Sequence, residues 1–205
     1  MLNYMMYLFY GEKVLDTFER NKKILTDKQR DEFRTGVYSP HLEYDKYKVI
    51  VHKPDFQKPY NIGIAAHIFL DSLYESEFLV EHVNFINEQN FPAKSQNDAK
   101  LVHIKKSDEF VPVEKFFSMK YLYGDFSRMT TYIIQKYYMK PIIYAETIDK
   151  IKEQQASCID AALEAYIRKA TIPETEMSVF EKDDFCSFIF ESAERFADMY
   201  SANII

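Results

Sequence analysis

His67 and Asp71 stand four residues apart in Tyr60-Asn61-Ile62-Gly63-Ile64-Ala65-Ala66-His67-Ile68-Phe69-Leu70-Asp71, a stretch that is otherwise almost wholly apolar. On a helix, positions i and i+4 share a face with Cβ atoms about 6 Å apart. One metal ion or one shared proton can therefore join the imidazole to the carboxylate. Apolar residues from Ile62 to Leu70 run all the way round the helical wheel, which predicts a helix buried on every side. A carboxylate entering such a core unpaired is destabilising, so Asp71 needs a compensating partner.

Four of the five histidines, His41, His52, His67 and His82, fall between positions 41 and 82, among Asp45, Asp55, Asp71, Glu75, Glu77 and Glu81. A zinc-type centre takes three or four N, O or S donors at about 2.0 to 2.3 Å. His67 and Asp71 supply two from one rigid surface, and a loop histidine would complete the set. Tyr74 and Phe78 share the helical stripe and would give the site an aromatic wall, while a hydroxyl from Tyr60 or Tyr74 could donate to a bound anion. Glu81 and His82 lie roughly two to three turns or more beyond His67 and suit at best a second site. The competing reading makes His67 and Asp71 a hydrogen-bonded core pair without a metal, with His41 and His52 as solvated loop residues.

Long helices are expected to carry these groups. The 205 residues include 17 Phe and 16 Tyr but only 4 Gly and 7 Pro, which argues for helices joined by few loops. A first helix is predicted over about Leu2 to Asn21, with Tyr7, Phe9, Val14, Leu15 and Phe18 inward. A second is predicted around Asp27 to Thr35 with Thr26 as its N-cap. Gly36 to Pro59, with three prolines and no helical period, reads as an extended loop of the length often given to function. The central helix is predicted from about Asn61 to Asn90, broken near Glu75 to Glu77, and a polar loop over Gln89 to Lys100 follows. Val113 to Tyr138 reads as two helices interrupted at Gly124-Asp125, and Glu146 to Ala170 and Ser178 to Ala202 are the last two. The expectation is a single all-α domain over residues 1–205, a multi-helix bundle.

The net charge of -6 comes without a basic stripe, which disfavours nucleic acid as a partner. The apolar start from Met1 to Tyr10 lacks the basic region and cleavage site of a signal peptide and is too short to span a bilayer, so a cytoplasmic protein without a transmembrane segment is expected. Cys158 and Cys186 form no CxxC and read as buried free thiols. The chain has no HExxH, adjacent His-Asp dipeptide, Walker loop or GxSxG, and four glycines cannot build a Gly-rich phosphate cradle.

The order of features resembles a known family. Phe33-Arg34-Thr35-Gly36-Val37-Tyr38-Ser39-Pro40-His41, then His52, then Gly63 to Asp71, is similar to the zinc-dependent phospholipase C-like proteins of Gram-positive bacteria, in which a loop leads to a histidine and then to a glycine-led HxxxD helix. Tyr7-Leu8-Phe9-Tyr10-Gly11-Glu12-Lys13-Val14-Leu15 resembles the family's first helix, and the likeness spans roughly residues 7 to 80. It implies an all-α fold, hydrolysis of phosphodiesters and a zinc site built from His41, His52, His67 and Asp71. The chain departs from the pattern in carrying His41 where the family's loop has aspartate, and Tyr7, a poor zinc ligand, where its first helix commonly has histidine. One or two ions are the most such a set supports.

Two functions follow. The first is a metal-dependent hydrolase of a phosphate ester, phosphodiester or lipid headgroup, with zinc on His41, His52, His67 and Asp71 and with Asp55 or Glu75 as general base. The second is a non-catalytic helical-bundle interaction domain, a homodimer being one form of it, in which His67-Asp71 is a structural pair and the aromatic surplus supplies core and interface anchors.

Overall fold

The computed structural model describes residues 2–41, 58–139 and 176–201. The first helix, α1 (Tyr4–Arg20), starts at Asn3, whose side chain accepts from the Met6 N–H and donates to Thr130 Oγ1 at 2.8 Å, tying the helix start to a distant segment. The second, α2 (Asp27–Tyr38), opens with a capping box between Thr26 and Gln29, the N-cap that the sequence indicates. It runs past Thr35 and through Gly36, because that glycine serves a helix contact and does not end the helix. The next helix, α3 (Pro59–Leu73), begins with a proline in its first turn and crosses α2 at Gly63. A Cβ on Gly36 would lie 2.0 Å from the Tyr60 carbonyl oxygen, and one on Gly63 would lie 2.1 Å from that of Phe33. Backbone meets backbone at this crossing.

The interruption expected near Glu75 to Glu77 is a π turn over Tyr74–Phe78, after which the short helix α4 (Leu79–His82) resumes the α geometry. The central helix does not reach Asn90. At Val83 the chain becomes a strand, and β1 (Val83–Ile86), β2 (Leu101–Ile104) and β3 (Glu109–Pro112) form an antiparallel sheet in the order β1-β2-β3. The pairs Val83 with Ile104 and Val102 with Val111 place apolar side chains on the buried face, and Asn84, His103 and Phe110 belong to the other.

The fold is therefore mixed helix and sheet, and the all-α multi-helix bundle expected from the sequence is wrong. Scarcity of glycine misled, because the turns here do without it. Asn90 and Asp108 take positive φ around the strands, at 62° and 55°, as short polar side chains can, whereas none of the four glycines does. Two of those glycines serve the α2–α3 crossing. A third, Gly124, would bring a Cβ within 2.1 Å of the Met119 carbonyl oxygen. Strands of four residues also give too few alternations to stand out from a helical pattern.

Two further helices, α5 (Val113–Phe116) and α6 (Leu122–Tyr137), are separated by Phe117 to Tyr121, so Gly124 and Asp125 lie in the first turn of α6 and do not interrupt it. The last described helix, α7 (Lys182–Ser201), packs on α1. Rings of Phe78, Phe126, Phe180, Phe185 and Phe188 make edge, tilted and stacked contacts across the core between these elements. The helix expected over Glu146 to Ala170, with Cys158 in it, lies outside the described residues, while Cys186 is a buried free thiol beneath the Tyr137 hydroxyl. Among the described residues no helix is long and apolar enough to cross a membrane.

Candidate functional site

The close α2–α3 crossing sets the position of His67. With no side chain at Gly63, α3 lies near enough to α2 that His67 Nδ1 donates to the Val37 carbonyl oxygen at 2.6 Å. A carbonyl can only accept, so Nδ1 carries the proton and Nε2 is turned the other way. Nε2 faces Asp71 Oδ2 at 3.5 Å, one helical turn along the same face. From α1, the Tyr7 hydroxyl donates to Asp71 Oδ1, and the Tyr7 ring lies on the imidazole with centroids 3.8 Å apart and planes 4° from parallel.

This cluster is interior. His67 and Tyr7 are fully buried, and Asp71 is 8 % exposed. Burial pushes the Asp71 carboxyl up, but hydrogen bonding and charge at His67, with the Tyr7 hydroxyl, outweigh it and hold the group below the usual carboxylate range. Asp71 is accordingly a carboxylate at neutral pH, and its sequence-inferred need for a partner is met from two sides.

The geometry suits a metal as well as a proton. Two donors at 2.0 to 2.2 Å on a tetrahedral ion stand about 3.4 Å apart, close to the separation of Nε2 from Oδ2. Metal-binding histidines characteristically donate their second ring N–H to a carbonyl or carboxylate, and ligating carboxylates are themselves hydrogen-bonded. Val37 and Tyr7 supply such supports. Among the described residues, however, no group of three or more His, Cys, Asp or Glu side chains converges. His41 ends the short turn Ser39–His41 that follows α2, but its side chain, and all of His52 and Asp55, lie outside the described residues.

The remaining candidates are dispersed. Glu75 is exposed on the π turn, and its neighbour Glu77 forms a two-pronged ion pair with Arg195 at 2.6 and 3.0 Å. Tyr60 donates to Ser39 Oγ at 3.1 Å. Tyr74 and Phe78 are buried and stacked on each other at 5.8 Å, but their further ring contacts are with Phe126, Phe188 and the aromatic core. The Tyr74 hydroxyl has no hydrogen-bond partner among the described residues, and burial raises its pKa. Glu81 is exposed, and His82 is half-buried with its ring 4.4 Å from that of Phe78.

Tyr7 is the third member of the cluster, set aside in the sequence as a poor zinc ligand at the position where the resembled family's first helix commonly has histidine. Its inward place on α1 was legible, but a contact between α1 and α3 has no local signature. Asp125, read as part of a helix break, is instead a fully buried carboxylate that accepts from the Val179 N–H at 2.6 Å, the Ser178 N–H at 2.8 Å and Arg128 at 2.6 Å, holding the chain just before α7. No family model, curated protein or solved structure matches the chain.

Proposed function

We propose that His67 and Asp71 are two donors of a zinc-type metal site and that the protein is a metal-dependent hydrolase of phosphate esters or phosphodiesters, lipid headgroups included. The observation that carries this reading is the orientation of His67: Val37 takes the Nδ1 proton and Nε2 is aimed at the carboxylate. His41 and His52 would complete the donor set. Once bound, the ion would acidify water and offset negative charge on phosphate oxygens. The chain's own contribution is to fix the imidazole through Val37, to keep Asp71 ionised and to hold one of its oxygens through Tyr7. The general base would be Asp55 or Glu75, and the exposure of Glu75, against full burial of His67, favours Asp55.

A specific observation also supports a second reading. The Tyr7 hydroxyl donates to Asp71 without any ion, and a His67 ring carrying protons on both nitrogens would add its charge 3.5 Å from Oδ2, as a structural pair in a non-catalytic domain would require. Elemental analysis of purified protein, before and after zinc dialysis and beside His67→Ala, separates the two. One or two equivalents of zinc, lost in the variant, would support the hydrolase and direct a phosphodiester substrate screen. A folded wild type that holds no metal, with a melting temperature unmoved by chelator, would sink it.

A further inference from the structure

We infer that Tyr7 is a positioning residue for the His67–Asp71 pair, an inference that rests on the metal reading above. Tyr7 touches both members from a different helix. Its hydroxyl on Asp71 Oδ1 leaves Oδ2 as the oxygen presented to His67, and its ring, 3.8 Å from the imidazole and almost parallel to it, blocks rotation of His67 out of that plane. Val37 grips the imidazole at Nδ1. Each donor is thus held at a second point from outside its own helix, Asp71 by a phenol and His67 by a carbonyl, so that Nε2 and Oδ2 face one another before any ion arrives. The phenol keeps its proton in this role, because the proton is what binds Oδ1. Tyr7 therefore supports the site without joining the donor set.

Tyr7→Phe separates the two parts of this role, since it keeps the stacked ring and the core volume and removes only the hydroxyl. Zinc affinity of the full chain, measured by competition with a chromophoric chelator, should fall about 10- to 100-fold, the range for losing a group that supports a metal ligand. The visible absorption of the cobalt-loaded protein should also shift as the carboxylate turns. A purely structural role would lower the melting temperature of zinc-free protein and leave the affinity of folded protein unchanged. Equal affinity in Tyr7→Phe and wild type overturns the inference. Wild type labelled with 3-fluorotyrosine provides a check that needs no variant to fold: a tyrosine fluorine resonance should move on adding zinc, and a spectrum in which none moves overturns the inference. Failure of wild type itself to bind zinc removes the metal reading and this inference together, and is seen before any variant is made.

Discussion

Gly36 and Gly63 face each other across the α2–α3 crossing, and a Cβ built on Gly63 would come within 2.9 Å of the Gly36 Cα and 2.1 Å of the Phe33 carbonyl oxygen. The obstructing atoms are backbone and cannot swing aside as a side chain end can. The crossing also delivers the Val37 carbonyl to His67. Gly63→Ala should therefore push the helices apart, destabilising by about 3 kcal/mol or more, at or above the upper end of usual overpacking effects. Urea unfolding measures this directly. A loss below about 1 kcal/mol would show that the helices do not pack so closely.

Tyr10 makes the opposite case. Its ring is fully buried on α1, and its hydroxyl finds no hydrogen-bond partner among the described residues. Burial is the main cause that raises its pKa, Tyr200 adds to it and Arg195 opposes it, so the phenol stays protonated. An unmatched buried hydroxyl is unfavourable, and Tyr10→Phe should leave stability unchanged or raise it by about 1 kcal/mol. A loss of similar size in denaturant unfolding would reveal a partner for this hydroxyl.

His82 should make stability depend on pH. Burial against Phe78 and Phe180 holds its pKa below the ordinary histidine value; Asp184, Glu81 and Glu181 oppose that shift, while Lys105 adds to it. The folded state thus resists protonation. Above a pH of about 6.5 the residue is neutral folded or unfolded and imposes no penalty. As pH falls through that value, the unfolded chain takes the proton first and stability declines, until the pH passes below the folded pKa. The slope of unfolding free energy between about pH 7 and 5 should be shallower in His82→Gln, and equal slopes would remove His82 from the account.

What was legible in the sequence was local. Thr26 as an N-cap, the inward face of α1 and the proximity of His67 to Asp71 all follow from spacing within a few residues, which a helix fixes by itself. The groups that complete the cluster, Tyr7 and the Val37 carbonyl, come from other helices and depend on how those helices cross. The glycines that make the crossing possible were visible, yet their scarcity was taken to mean few turns when it reflected their use in helix packing. The sheet escaped for the same reason, since its turns use Asn90 and Asp108 and its strands are short.

The π turn at Tyr74–Phe78 has a consequence for chain length. In an unbroken α-helix, about three turns beyond Asp71 would return His82 to nearly the same side. A π turn accommodates one extra residue without breaking the helix axis, and everything after it is rotated by about 100°. His82 accordingly rests on Phe78 and Phe180, while Asp71 meets Tyr7 and His67. Deleting one residue from this segment would let it close as regular α-helix, ten residues at about 100° each returning His82 and the start of β1 to the direction they already hold. The wide turn itself decides which neighbours the second half of the helix meets, since the same residues wound as unbroken α-helix would face another way.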